Sequence, residues 1–370
     1  MSSSQMVPED SAVHRTFFAM DTVVRIVLYG TRCKEELLDL AEAEVLRLER
    51  LWSRFEGDSE VSRINRRTKR HCIAKKKSKR KGIRISPETE ELLALALRIT
   101  EASNGAFDIA LDLLMDGYEL GKPFRPPLFS LLFLLFPRFF LRRRDSRIPR
   151  GLKKDQWALL GRLVLDRENH TAFLEGPGRF LDLGGIGKGA SADLAADLLF
   201  REAARTEVFL SGVLIDMGGN VLVRGRKKAG GEEAPARPEE EIPPSGKRES
   251  WRIGVRAPGK ATSEVCGYLE VSEGSVSTSA IYERPKHILD PRQGKPAESD
   301  LVSATVLAPT AAEADALSTA VFVLGKEEGT RLLESWPSAG GVLITKKGEI
   351  LPIAEADHRF QFLAPLPKGK

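Results

Sequence analysis

A strand-like run ending at Leu183 leads into Gly184-Gly185-Ile186-Gly187-Lys188-Gly189, and Leu194, Ala195, Leu198 and Leu199 then fall on one face of a helix. Glycines let a phosphate approach the backbone, free amides at a helix start point at the anion, and Lys188 adds a full positive charge. The same glycines would serve a plain tight turn equally well. Gly185, Gly187 and Ala190 mimic a dinucleotide-binding fingerprint, but the acidic residue about twenty positions on, Glu207, precedes the next strand instead of ending it. A P-loop is excluded because Asp182 stands where its first glycine would be.

Farther along, the segment 311–325 has a helical pattern that puts Asp315 and Thr319 on one face among largely apolar neighbours. A carboxylate and a hydroxyl so placed are hard oxygen ligands suited to magnesium, or else a satisfied buried Asp with Thr bonded to its own backbone. His287-Ile288-Leu289-Asp290-Pro291 reads as a strand entering a turn. His287 could deprotonate a hydroxyl or contact a phosphate if the fold brings it near Lys188 and Asp315. No His or Cys pair stands near it, which argues against zinc.

These residues need a sizeable frame, and 370 residues of ordinary globular composition supply one. Cys33, Cys72 and Cys266 are odd in number and scattered, so free thiols are expected. The first residues carry no secretory signal, and the direct reading is a cytoplasmic protein. A strand is expected over 15–29, closed by Gly30. Helices are expected over 34–53, from Asp58 through Ile64, and from Pro87, after Ser86, to a stop at Asn104-Gly105. The basic run from Arg66 to Arg84 lacks interleaved aromatics and reads as a solvated loop, not a nucleic-acid surface.

The Leu/Phe run 128–141, followed by Arg142-Arg143-Arg144, is too short to span a bilayer. It reads as an inserted surface segment, with weak membrane-surface contact as the alternative. The stretch 226–250 reads as a loop on a stem of strands ending near Gly225 and starting near Trp251. The passages 180–185 and 214–219 echo each other as strands ending in glycine turns.

Together the pieces resemble the ApbE family, the FAD:protein FMN transferases. The resemblance runs through Phe18 to Thr22, Ser53 to Asn65, Gly105 to Asp108, Leu181 to Asp193, Met217 to Asn220, Ser277 to Arg284, His287 to Gly294 and Ala314 to Ala320. It implies an α+β, T-fold-like architecture of two mixed units with antiparallel sheets and packed helices. This would be a single catalytic domain over 14–365, with insertions near 66–84, 122–154 and 226–250 and a flexible stretch 1–13. A doubly wound parallel sheet would need a more regular alternation of elements.

By the same resemblance Met20, Phe55, Ala106, Phe107, Asp108, Asp182, Lys188 and Ile288 line an FAD site. Magnesium is held by Asp315, Thr319 and the Gly185 carbonyl. The implied reaction is attack by a Thr or Ser hydroxyl of an acceptor flavoprotein on the FMN phosphorus of FAD, releasing AMP. Lys188 stabilises the pyrophosphate, and His287 or Asp290 takes the proton.

Asp21 and Ala280 stand where the family usually has glycine, so rate or substrate preference is open at those loops. The family is commonly exported, which makes the cell envelope the alternative location. Two other readings share the site: an FAD pyrophosphatase with water as the nucleophile, and a non-catalytic flavin-binding protein.

Overall fold

A computed structural model of the chain describes residues 12–31, 35–74, 82–112, 162–175, 179–226, 250–257, 264–282 and 288–363. Its frame is one eight-stranded sheet of β1 (Val13–Ala19), β2 (Thr22–Thr31), β3 (Phe209–Met217), β4 (Asn220–Gly225), β5 (Gly274–Ala280), β6 (Leu301–Ala308), β7 (Gly340–Thr345) and β8 (Ile350–Ala354). The strands lie side by side in chain order, and every pair is antiparallel. A second sheet joins Trp251–Arg256, Val265–Val271 and Phe360–Phe362.

Five helices are described: α1 (Glu35–Trp52), α2 (Glu60–Ala74), α3 (Pro87–Ala102), α4 (Gly187–Arg205) and α5 (Ala311–Ser335). Alternation along the strands decides what covers each face. In β3, Val213, Ile215 and Met217 point to a core shared with α1 and α4. In β6 and β7, Ala304, Val306 and Leu343 join the core beneath α3 and α5, whereas Leu307, Val342 and Ile344 face the second sheet through Trp251, Leu269 and Phe360. The result is an α+β protein whose helices lie on one side, and the two expected units share a single sheet.

Several local expectations change. The run 15–29 is a hairpin, because Met20 and Asp21 both take left-handed φ values, 52° and 59°, between the paired Ala19 and Thr22. This is the turn geometry that suits the twist of a two-residue hairpin, formed here without glycine. Helix α2 continues to Ala74 and so takes in the first part of the expected basic loop. It is anchored by Asn65, whose amide both donates to and accepts from the Leu181 backbone, at 3.0 and 2.6 Å.

Gly225 and Trp251 end strands of different sheets, so they form no hairpin stem. The echoing passages differ in context, since one enters α4 and the other makes the β3–β4 turn. The segments 122–154 and 227–249 lie outside the described residues. No helix among the described residues is long and apolar enough to cross a membrane.

Candidate active site

The site forms where α4 begins and α5 passes over it. Gly189 makes the crossing possible, since a Cβ there would lie 2.1 Å from the Ala311 carbonyl oxygen. No side chain caps the start of α4; instead the Gly189 N–H donates to Asp315 Oδ2 on α5 at 3.2 Å. Lys188 Nζ donates to the Gly184 carbonyl at 2.9 Å and stands 3.7 Å from Asp315 Oδ2. Thr319 follows one turn after Asp315 and faces the glycine turn, because a Cβ on Gly185 would lie 3.7 Å from its Oγ1. A carboxylate, a hydroxyl and an ammonium thus converge at the start of one helix.

That spot lies in a cavity of about 1630 Å³. It exceeds the usual range for drug-sized ligands, about 300–1,000 Å³, and leaves room for a large ligand and part of a second reactant. Met20, Phe55, Ala106, Phe107, Asp108, Asp182, Gly185, Lys188, Ile288, Asp315 and Thr319 all line it. The backbone N–H of Met20 donates to Glu49 at 2.7 Å, which fixes the strained turn at the cavity wall. Phe55 is 60% exposed and adds apolar surface to the cavity wall.

Asp182 is held from two sides. Its Oδ1 accepts from the Gly184 N–H at 2.8 Å and its Oδ2 pairs with Arg54 Nε at 3.0 Å. The Arg54 guanidinium also sits 4.6 Å from the Phe55 ring centre, so one cation organises both residues. Burial pushes the Asp108 carboxyl above its ordinary range, against the Ala110 N–H and the Arg179 charge, which lower it.

Asp290 lies between Leu289 and Pro291, which both line the cavity, but its side chain faces its own turn. It is not among the cavity-lining residues and is 2% exposed; its oxygens accept from Arg292 at 2.9 and 3.0 Å and from Gln293 at 2.9 Å. These bonds engage both Asp290 oxygens in holding the turn. His287 lies outside the described residues.

Three features escaped the sequence reading. Arg54, within the Ser53 to Asn65 stretch of the family resemblance, had no role there and pairs with Asp182. Asp193 on α4 is half-buried and accepts the backbone N–H groups of Ala311 and Ala312 at 2.8 and 2.9 Å, so it ties the two site helices together. Ser279 and Ser318 lie behind Thr319, at 2.9 Å from each other.

This is an α+β protein whose glycine turn and Lys188 stand at a helix start beside Asp315 and Thr319. The family model of the ApbE family matches residues 20–343, and the chain belongs to that family. A protein of Treponema pallidum named FAD:protein FMN transferase is 36% identical over 183 residues, 47% of this chain and 46% of that protein. One of Klebsiella pneumoniae with the same name is 26% identical over 358 residues, covering 93% of this chain and 94% of its own length. The solved flavin transferase ApbE of Vibrio cholerae superposes with a TM-score of 0.69 at 20% identity, over 95% of this chain and 99% of that one. The Thermotoga maritima ApbE protein gives 0.66 at 22% identity, over 93% and 97%. These two structures share the fold.

Proposed function

We propose that this protein is a magnesium-dependent FAD:protein FMN transferase. The observation that carries the reading is the meeting of Lys188, Asp315, Thr319 and the glycine turn inside a cavity with an exposed aromatic wall. The names of the relatives support the same chemistry.

The residues fit a hard cation. Asp315 is 5% exposed, and besides the Gly189 N–H and the more distant Lys188 its carboxylate has capacity left to bind. Among the described residues no three His, Cys, Asp or Glu side chains cluster as a cage. A cation here would take Asp315 and Thr319, with the Gly185 carbonyl as the family resemblance implies, and complete its shell with water and substrate phosphate, as magnesium does. Magnesium, when bound, neutralises pyrophosphate charge and aids the departure of the leaving phosphate.

Lys188, at the positive end of the α4 dipole, binds the phosphates. Phe55, Met20 and the segment from Ala106 to Asp108 hold the rest of FAD, with Asp182 braced by Arg54. The hydroxyl oxygen of an acceptor Thr or Ser forms a bond to the FMN phosphorus, and the bond from that phosphorus to the bridging oxygen breaks. AMP leaves, and the hydroxyl proton passes to a base, for which His287, next to the cavity-lining Ile288, is the candidate.

Product analysis with FAD, in magnesium or EDTA, with and without an acceptor domain, tests this reading. AMP released in magnesium without matching free FMN, only when acceptor is present, supports transfer. Equal AMP and free FMN in either case makes the protein a pyrophosphatase, and FAD retained intact makes it a binding protein.

A further inference from the structure

Behind Thr319 runs a row of hydroxyls whose direction follows from its two fixed donors, Ser318 and Ser277. Ser318 Oγ donates to the Asp315 backbone carbonyl at 2.9 Å, which leaves its lone pairs to accept. Ser279, on β5, lies 2.9 Å from Ser318 Oγ and 3.3 Å from Thr319 Oγ1. Ser277 closes the row, 3.3 Å from Ser318, with its own proton given to the Asn220 side-chain oxygen. The other acceptor within reach of Thr319 is the Asp315 carbonyl, at a longer 3.4 Å and shared with the shorter bond from Ser318.

Each hydroxyl has one proton to give. With Ser318 spent on Asp315, the Ser279 proton goes to Ser318, and the lone pairs of Ser279 face Thr319. The Thr319 proton is thereby drawn toward β5, and its own lone pairs turn to the space shared with the Gly185 turn and the Asp315 carboxylate.

We propose that Ser279 is a positioning residue: by accepting the Thr319 proton it orients that hydroxyl as a cation ligand. This rests on the magnesium reading above. Residues behind a metal ligand that fix its orientation typically govern metal affinity.

The test compares wild type, Ser279→Ala, Ser279→Thr, Ser318→Ala and the Ser279→Ala/Ser318→Ala pair. Two quantities are read: the magnesium concentration for half-maximal FAD turnover, and the rise in melting temperature that magnesium produces on the FAD-loaded protein. Ser279→Ala is expected to raise the half-saturating magnesium about 10-fold and to weaken the magnesium-dependent rise, more than it lowers the rate at saturation. Ser279→Thr restores both, and the double variant is no worse than Ser279→Ala, because the two hydroxyls act in one chain.

An unchanged magnesium requirement in Ser279→Ala overturns the proposal. So does a fall in the metal-free melting temperature that matches the loss seen with metal, since that marks a packing role. A wild type indifferent to magnesium in both readouts overturns the cation reading itself, and the role of Ser279 with it.

Discussion

Replacing Asp193 by Asn should change how stability depends on pH. The Asp193 carboxylate accepts the N–H groups of Ala311 and Ala312, the first residues of α5, while the Thr310 side chain caps Glu313 at 3.2 Å. Burial pushes the Asp193 carboxyl from 3.8 up to about 6, outweighing the two backbone donors that pull it down. Between these values the unfolded chain has released the proton and the folded protein still holds it, so stability falls as pH rises. The shift of about 2 units at 1.36 kcal/mol each amounts to about 3 kcal/mol, full below the unfolded pKa and lost by the time pH passes about 6.

Asn cannot titrate, and the other ionisable groups are common to both proteins. Urea unfolding of wild type and Asp193→Asn, followed by circular dichroism from pH 4 to 7.5, isolates the effect. The stability of wild type relative to the variant should drop by about 2 kcal/mol across that range, since part of the effect is already lost at pH 4. A flat or rising difference would refute the burial account of this carboxylate.

Two further substitutions probe the helix crossing. Gly189→Ala would drive a methyl to within 2.1 Å of the Ala311 carbonyl and should cost about 1–3 kcal/mol in urea unfolding, with loss of FAD turnover as α4 moves from α5; an unchanged midpoint would show that the helices yield freely. Lys188→Ala should lower kcat by about 100-fold or more, as loss of a donor to developing charge does, and a loss under about tenfold would remove Lys188 from the pyrophosphate.

Much of the frame was legible because its signals are local. The apolar spacing of α1 and the Ser86 cap followed by Pro87 on α3 each mark an element within a few residues. The hairpin at Met20-Asp21 was hidden because its left-handed turn uses no glycine and the strand pattern runs straight through it. Helix α2 was cut short because a charged run reads as a loop, although one face carries buried Ile64 and Thr68.

The site was legible in parts. Spacing singled out Lys188 after its glycines and paired Asp315 with Thr319. Their meeting depends on a contact between Gly189 and Asp315 across 126 residues, which no local pattern encodes. Ser279 went unnoticed for a related reason: a serine in a strand of small residues looks ordinary until the fold sets it against Thr319. Asp290 drew attention as a carboxylate beside His287, but its proximity to Arg292 turned it inward to the turn.

The most direct test of the transferase account is to locate the flavin on the acceptor. The protein is incubated with FAD, magnesium and an acceptor flavoprotein domain, and the denatured acceptor is digested and sequenced by tandem mass spectrometry. The account predicts FMN joined by a phosphoester to one Thr or Ser, with one AMP released per label, and no label when that residue is replaced by Val or Ala. AMP release with an unlabelled acceptor, or a label that survives loss of the hydroxyl, would contradict it.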